Sequence, residues 1–416
     1  MRGRPELSRI QAIYRSVPAY RNMVEELKIN IEKIKAFDEF PIMQKSRLIE
    51  AQSSCIMPEF LPKYLMRNLI RERTSGSTGK YLEIFLDNAD YIKSMVELWI
   101  LRVKFYGIYP HNRLCFFFTE NGMEQGYIEQ KNEFGICKTL LTEKQLAQVY
   151  EDILEWDPEW MILQPSVAVI LCEHIRRNKL RVPSSLRYIE FNGEILTDEV
   201  RNMTRMVFGC KIANQYGANE VNSIGFECQY GNMHILNSNV FVEIVDEEGC
   251  LMTDSSDFAA NNSEEGRIIL TSRRNNAMPF VRYEIGDKGK IHPTMDCPCG
   301  CKGKIIELST GRNNDYVLFA DGGRASSYIF VGLLDMVNVY TDGAIIQFYV
   351  EQLAYDEFRI MIYKDEEVEE NYIIAAFQSC MKEERLLYAK FHFEFTDSLF
   401  EVRGSGKHMY YRNSMG

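Results

Sequence analysis

Apolar positions recur through the first seventy residues at spacings that predict a mostly helical segment, with Pro41 and Pro58 as breakers. A Gly/Ser/Thr run follows, and Leu82–Leu86 then reads as a strand. Ile92, Met95, Val96, Trp99 and Val103 keep the helical period and predict a long helix capped by Asn88 or Asp90. Leu146, Val149, Tyr150, Ile153 and Leu154 predict a helix over 143–155. Arg187–Phe191 reads as a strand entering the turn Asn192-Gly193-Glu194, and Thr197 caps a helix carrying Val200, Met203 and Val207. Lys211–Gln215 is the next strand, ending at a turn at Tyr216-Gly217. The strand–helix–strand rhythm predicts an α/β sheet, whose ligands bind at the carboxyl ends of strands.

From about 239 the pattern becomes β-rich (Val240–Val245, Arg267–Thr271), which predicts a smaller β subdomain over about 225–311. The last hundred residues predict a separate α+β unit, with strands near 344–350, 357–363 and 390–396 and helices near 326–336 and 367–382. The polar run Gly311-Arg312-Asn313-Asn314-Asp315 marks the boundary, giving a large domain over 1–311 and a small one over 312–416.

Composition narrows the class. A chain of 416 residues, 46% hydrophobic and 26% charged, has core enough for two or three globular domains. The formal net charge of −11 argues against nucleic acid or an anionic membrane surface as partner. MRGRPELSRIQAIY lacks the apolar run of a secretory signal, and Trp160–Cys172 is too short and interrupted to span a bilayer. Among eleven cysteines, Cys115, Cys172 and Cys380 stand alone in apolar segments, as reduced thiols of a cytoplasmic protein do.

Thr74-Ser75-Gly76-Ser77-Thr78-Gly79-Lys80 is the most informative stretch. Two glycines free the backbone to wrap an anion, and hydroxyls and a lysine aim donors at phosphate oxygens. It is not a Walker A loop, because Thr74 and Tyr81 stand where that motif needs Gly and Ser/Thr. Alone, such a run is more often a flexible connector.

Further segments change that weighting. TSGSTGK resembles the phosphate loop of the acyl-adenylate-forming superfamily: acyl-CoA synthetases, luciferases and peptide-synthetase adenylation domains. Asn192-Gly193-Glu194 is similar to its adenine-contacting turn, and Tyr216-Gly217-Ala218-Asn219-Glu220 to its Tyr-Gly-x-Thr-Glu motif. Arg282-Tyr283-Glu284-Ile285-Gly286-Asp287 resembles its ribose-binding strand, 311–315 its hinge, and Gly404-Ser405-Gly406-Lys407 its catalytic-lysine motif. All six occur in family order from 74 to 407, and the NNAMPFVRYEIGD…CPCG wording most resembles the phenylacetate–CoA ligase branch.

The resemblance implies a fold of α/β sheet subdomains plus a small β subdomain, followed by an α+β domain that rotates about a hinge. It implies that Thr74 to Lys80 hold the ATP β- and γ-phosphates, and that Tyr216 stacks on adenine with Gly193, Glu194, Gln215 and Gly217 around the nucleotide. Asn219 would touch the α-phosphate, Glu220 would bind Mg²⁺, and Asp287 and Arg312 would hold the ribose. Lys407 would bridge the attacking carboxylate and the α-phosphate. Joining two anions requires charge neutralisation and strict positioning, which these residue types supply. The implied reaction is ATP-dependent activation of an aryl or medium-chain acid to acyl-AMP, then transfer to coenzyme A. The alternatives are loading of a carrier-protein phosphopantetheine, or a nucleotide-binding regulator of the same fold without turnover. Asn219 departs from the usual Thr or Ser, and Asn314 from the usual Asp or Lys.

Cys228, His234, Cys297, Cys299 and Cys301 form a second cluster. Two ligand pairs from separate loops close a tetrahedral Zn²⁺ site, and such a site is structural because no position stays open for water. The resemblance favours Cys228, His234, Cys297 and Cys299, with Cys301 as an alternative thiol. The expected acyl pocket draws on Phe118, Gln164, Pro165 and Ile195, although the run Phe116-Phe117-Phe118 is by itself more often core. The expected partners are a small carboxylic acid and a thiol, with self-association into a homodimer left open.

Overall fold

The computed structural model describes residues 3–74, 82–118, 126–141, 143–256, 264–292, 297–301, 303–312, 316–320, 324–381, 386–396 and 410–415. The chain divides into two compact units, Met1–Pro110 with Ala213–Ser309 and His111–Ile212 with Thr310–Gly416.

In the first unit, strands run side by side in the order Leu251–Asp254, Val240–Val245, Gly266–Ser272, Tyr283–His292, Ile305–Arg312, Met233–Ile235, Asn222–Glu227 and Lys211–Ala218. The N-terminal helices Leu7–Ser16 and Pro18–Glu26 bury Ile10, Tyr14, Tyr20 and Met23 against Phe241 and the segment Ala277–Tyr283. The attachment is specific as well as apolar. Tyr20 donates to the Pro279 carbonyl at 3.0 Å, and the Val281 amide donates to Tyr20 at 2.9 Å. Arg282 is 2% exposed, with a left-handed φ of 44°, and pairs with Glu243 at 3.1 Å. A hairpin of Ile70–Arg73 and Glu83–Leu86 stands apart from the main run.

In the second unit, Tyr188–Phe191, Trp160–Leu163, Leu114–Phe118 and Glu133–Cys137 are mutually parallel, and Tyr127–Gln130 closes the edge antiparallel. Their apolar side chains pack with the helices Glu143–Trp156, Pro165–Asn178 and Asp198–Phe208. The C-terminal part is a separate sheet in the order Lys390–Thr396, Glu357–Lys364, Ile345–Ala354, Tyr411–Asn413. Its core includes residues of the helices Tyr328–Tyr340 and Glu370–Cys380. Arg177 and Asp365 join the two parts through an ion pair at 3.2 Å. No helix among the described residues is long and apolar enough to cross a membrane.

Two local expectations change. The helix Asn88–Leu101 is capped by Asp87, whose carboxylate accepts from the Ala89 amide at 3.3 Å. Its inward face is Asp90, Ser94, Leu98 and Leu101, while Ile92 and Val96 are 65% and 48% exposed. Polar partners turn the helix this way: Asp90 accepts from the backbone and side chain of Asn276 at 3.0 and 2.9 Å, and Ser94 accepts from Asn222 at 2.6 Å. Tyr216 and Gly217 lie within the strand Lys211–Ala218, at a β-bulge against Asn222–Glu227, instead of beyond the strand's end.

Candidate functional site

The first unit gathers the Tyr216–Glu220 and Tyr283–Asp287 motifs. Tyr216, 8% exposed, donates through its hydroxyl to Asp287 Oδ2 at 2.8 Å. At Gly217 an added Cβ would stand 2.6 Å from the Asn222 carbonyl oxygen, so the bulge admits only glycine. Gln215 donates to the Ser223 hydroxyl at 2.8 Å. Glu220 is 4% exposed. Its Oε1 accepts from the Tyr283 hydroxyl at 2.7 Å and faces Lys45 Nζ at 3.6 Å. Burial, reinforced by the negative charge of Glu220, pushes the Tyr283 hydroxyl well above its ordinary range, so it keeps the proton it donates.

Asn219 donates from Nδ2 to the Arg73 carbonyl at 2.6 Å. The strand Ile70–Arg73 leads into Thr74, which exchanges two bonds with Leu82, amide to carbonyl at 3.0 Å and hydroxyl from amide at 2.9 Å. These bonds hold the two ends of the Gly/Ser/Thr run together and attach them to the Tyr216–Glu220 segment. Ser75, Gly76, Ser77, Thr78, Gly79, Lys80 and Lys407 lie outside the described residues. Arg312 ends the strand Ile305–Arg312.

The second unit carries the remaining expected residues at one edge of its parallel strands. Gly193 has a φ of +78°, a conformation that favours glycine. Glu194 turns away from solvent-facing duty and caps the helix Pro165–Asn178. Its two carboxylate oxygens accept from the Ser166 amide at 2.9 Å and hydroxyl at 2.8 Å. Gln164 donates to Asn192 Oδ1 at 3.4 Å, while its Oε1 is buried with no hydrogen-bond partner. Pro165 is buried at the first helical position, and Ile195 is half-buried. The aromatic trio splits: Phe117 belongs to the core, whereas Phe116 and Phe118 are half-buried, with ring centroids 6.2 Å apart. Lys138, just past the strand Glu133–Cys137, is 6% exposed. Burial lowers its pKa, and the nearby Glu194 charge opposes that shift.

Sequence reasoning misses Lys45, Tyr283 and Lys138. Tyr283 lies inside the Arg-Tyr-Glu-Ile-Gly-Asp motif, which is the signal for it, whereas nothing in the sequence marks Lys45 as the partner of Glu220.

Cys228, His234, Cys297 and Cys299 converge in the first unit, all buried, with one donor atom from each within 4.8 Å of the others. The Cys228 and Cys297 sulfurs are 3.7 Å apart, close to the edge of about 3.8 Å that Zn–S bonds of ~2.3 Å give a tetrahedron. His234 Nε2 faces Cys299 Sγ at 3.2 Å, and Nδ1 faces the Gly303 carbonyl at 3.3 Å. A carbonyl only accepts, so Nδ1 carries the proton and the Nε2 lone pair faces the sulfurs, as a metal ligand's would. Burial pushes Cys228 up, while at Cys297 donation from the Cys299 amide and the Asn232 side chain outweighs burial. Cys301 stands outside the group, with Sγ 3.8 Å from Lys104 Nζ. The donor set fits a closed, four-coordinate metal.

The chain shares its fold with solved coenzyme A ligases. The chain aligns over 98% of its length with 88% of a 2-hydroxyisobutyryl-CoA ligase crystallised in the postadenylation state with R3-HIB-AMP, at a TM-score of 0.73 and 16% identity. Among curated proteins it is 21% identical to Protein CapK of Staphylococcus aureus over 350 residues, 82% of this chain and 73% of that one. It is 27% identical to the phenylacetate-coenzyme A ligase of Pseudomonas putida over 183 residues, 42% of this chain and 38% of the ligase. No protein-family model matches the chain.

Proposed function

We propose that this chain activates a carboxylic acid with ATP, forming an acyl-AMP and releasing pyrophosphate, and then passes the acyl group to the thiol of coenzyme A. The observation that carries this reading is the double use of one strand. Tyr283 orients the buried carboxylate of Glu220, and Asp287, on the same strand, anchors the ring of Tyr216. The fold supports it, since the similar 2-hydroxyisobutyryl-CoA ligase has been crystallised with 2-HIB-AMP and coenzyme A.

In this reading Tyr216 stacks on adenine, and Asp287 and Arg312 hold the ribose. Thr74 to Lys80 bind the β- and γ-phosphates, and Asn219 contacts the α-phosphate. Gly193 and Glu194 shape the turn beside the base, with the Glu194 carboxylate committed to Ser166. Glu220 would hold Mg²⁺, which supplies the positive charge that lets a carboxylate approach a phosphate. Lys407 bridges the attacking oxygen and the α-phosphate, delivered by a mobile segment 312–416 that turns about 311–315 relative to the body 1–311. Phe118, Gln164, Pro165 and Ile195 line the acyl group.

ATP–pyrophosphate exchange, measured with Mg²⁺, no thiol and a panel of aryl and alkyl acids, tests the proposal. Exchange that requires one class of acid is the expected result. ATP binding without exchange for any acid would sink it. Coenzyme A and a phosphopantetheinylated carrier protein, added in turn, then identify the acceptor.

We further propose that Cys228, His234, Cys297 and Cys299 hold a structural Zn²⁺, which would fasten the loops beside the ribose-binding strand. Cys297→Ser with Cys299→Ser is expected to abolish bound zinc and to lower the melting temperature by about 10 °C or more, because metal binding is folding free energy in such sites. Elemental analysis and thermal melting of the purified protein check it, and zinc content equal to that of the parent overturns it.

A further inference from the structure

Asn219 and Glu220 share one turn and send their side chains to different partners. The Val221 amide donates to the Ala218 carbonyl at 3.0 Å, so the two residues form the centre of a β-turn between the strands Lys211–Ala218 and Asn222–Glu227. Buried polar bonds fix this turn in place. Asn239, 2% exposed, donates to the Val221 and Ser223 carbonyls, each at 2.6 Å, and Asn222 donates to the Ser94 hydroxyl at 2.6 Å. The Glu220 carboxylate lies inward against Tyr283, while the exposed Asn219 amide donates to the Arg73 carbonyl at 2.6 Å.

The bond to Arg73 falls at the end of a hairpin. Ile70–Arg73 and Glu83–Leu86 form a two-stranded sheet apart from the long run of strands. Leu82, Ile84, Phe85 and Leu86 seat one side of it in the core, whereas Arg71, Glu72 and Arg73 are exposed. A two-stranded ribbon is marginal without such support. Thr74 and Leu82 close its end with the two bonds between them, and Asn219 grips the carbonyl one residue before Thr74. The amide therefore sets where the chain enters the 74–80 run relative to the turn that carries Glu220.

The residue type suits this task. An asparagine amide has two N–H donors, whereas the Thr or Ser usual in the resembling motif has one hydroxyl donor, one bond nearer the backbone. We infer that Asn219 is a positioning residue for the nucleotide. One N–H ties the 74–80 run to the Glu220 turn through Arg73, and the second supplies the α-phosphate contact. A hydroxyl at this position serves the phosphate alone. The inference rests on the adenylation reading above and deepens it, by assigning what keeps the β- and γ-phosphate run in register with the metal-binding carboxylate.

The test compares equilibrium binding of ATP and of AMP to the full chain and to its variants. AMP lacks the β- and γ-phosphates, so it does not sense the 74–80 run. Asn219→Thr keeps a donor for the α-phosphate and gives up the reach to Arg73. It is expected to weaken ATP by about three- to tenfold, the worth of one hydrogen bond, and to leave AMP within twofold of the parent. Asn219→Ala removes both donors, so AMP weakens too, and ATP weakens more than AMP by that same factor. In pyrophosphate exchange Asn219→Thr raises KM for ATP and leaves kcat and the KM for the acid within twofold, a split that general damage to the fold does not produce. Equal weakening of ATP and AMP by Asn219→Thr overturns the inference, because Asn219 then serves the α-phosphate alone. Unchanged binding of both overturns it as well. A parent protein that binds ATP but exchanges pyrophosphate with no acid rejects the adenylation reading, and the ATP and AMP affinities still decide the role of Asn219. A parent protein that binds neither nucleotide rejects both.

Discussion

Glu220→Gln is expected to lower acid-dependent pyrophosphate exchange by about a hundred- to a thousandfold, the range seen when one preorganised charge-stabilising group is removed. Few other substitutions change so little else. The amide is the same size as the carboxylate, and its oxygen still accepts from the Tyr283 hydroxyl that meets Oε1 at 2.7 Å. The pairing with Lys45 is lost, but Lys45 is 35% exposed, so its ammonium can turn to solvent when the carboxylate becomes an amide. The melting temperature should therefore stay within a few degrees of the parent while Mg²⁺-dependent turnover collapses. Exchange within threefold of the parent would remove Glu220 from the metal-binding role.

Lys407→Ala is expected to abolish adenylation while leaving thioester formation from supplied acyl-AMP largely intact, because the bridging charge serves only the first step. The two half-reactions are measured separately, by pyrophosphate exchange and by release of AMP in the presence of coenzyme A. If both survive unchanged, Lys407 has no catalytic part. If both are lost, the lysine is needed for more than phosphate chemistry.

Much of this is legible in the sequence alone. The helices over 143–155 and 198–208 declare themselves because apolar periodicity and burial coincide there, and Thr197 caps as its hydroxyl chemistry predicts, accepting from the Val200 amide at 3.3 Å. The motifs around Tyr216, Glu220 and Asp287 were visible as residue types, and the folded chain brings these motifs together through Tyr283. Where reading failed, non-local polar bonds had overruled a local pattern. The helix Asn88–Leu101 has an apolar stripe, but Asn276 and Asn222, far along the chain, hold its polar face inward. Glu194 reads as a residue lining the base, and the bonds that both of its oxygens accept from Ser166 have no sequence signature. The unpaired oxygen of Gln164 is a property of three-dimensional surroundings and has no sequence signature.

The packing of the N-terminal helices also sets a clock. Tyr20 is bonded to the carbonyl of Pro279, 259 residues later in the chain. At about 5–20 residues per second, a ribosome takes roughly 13 to 52 s to make that partner after Tyr20 itself. Throughout that interval Ile10, Tyr14, Tyr20 and Met23 have been synthesised but cannot yet be covered by the segment Ala277–Tyr283. Vectorial synthesis therefore leaves that side of the first helices without its Ala277–Tyr283 cover for the whole interval, when exposed apolar surface makes a nascent chain prone to aggregate.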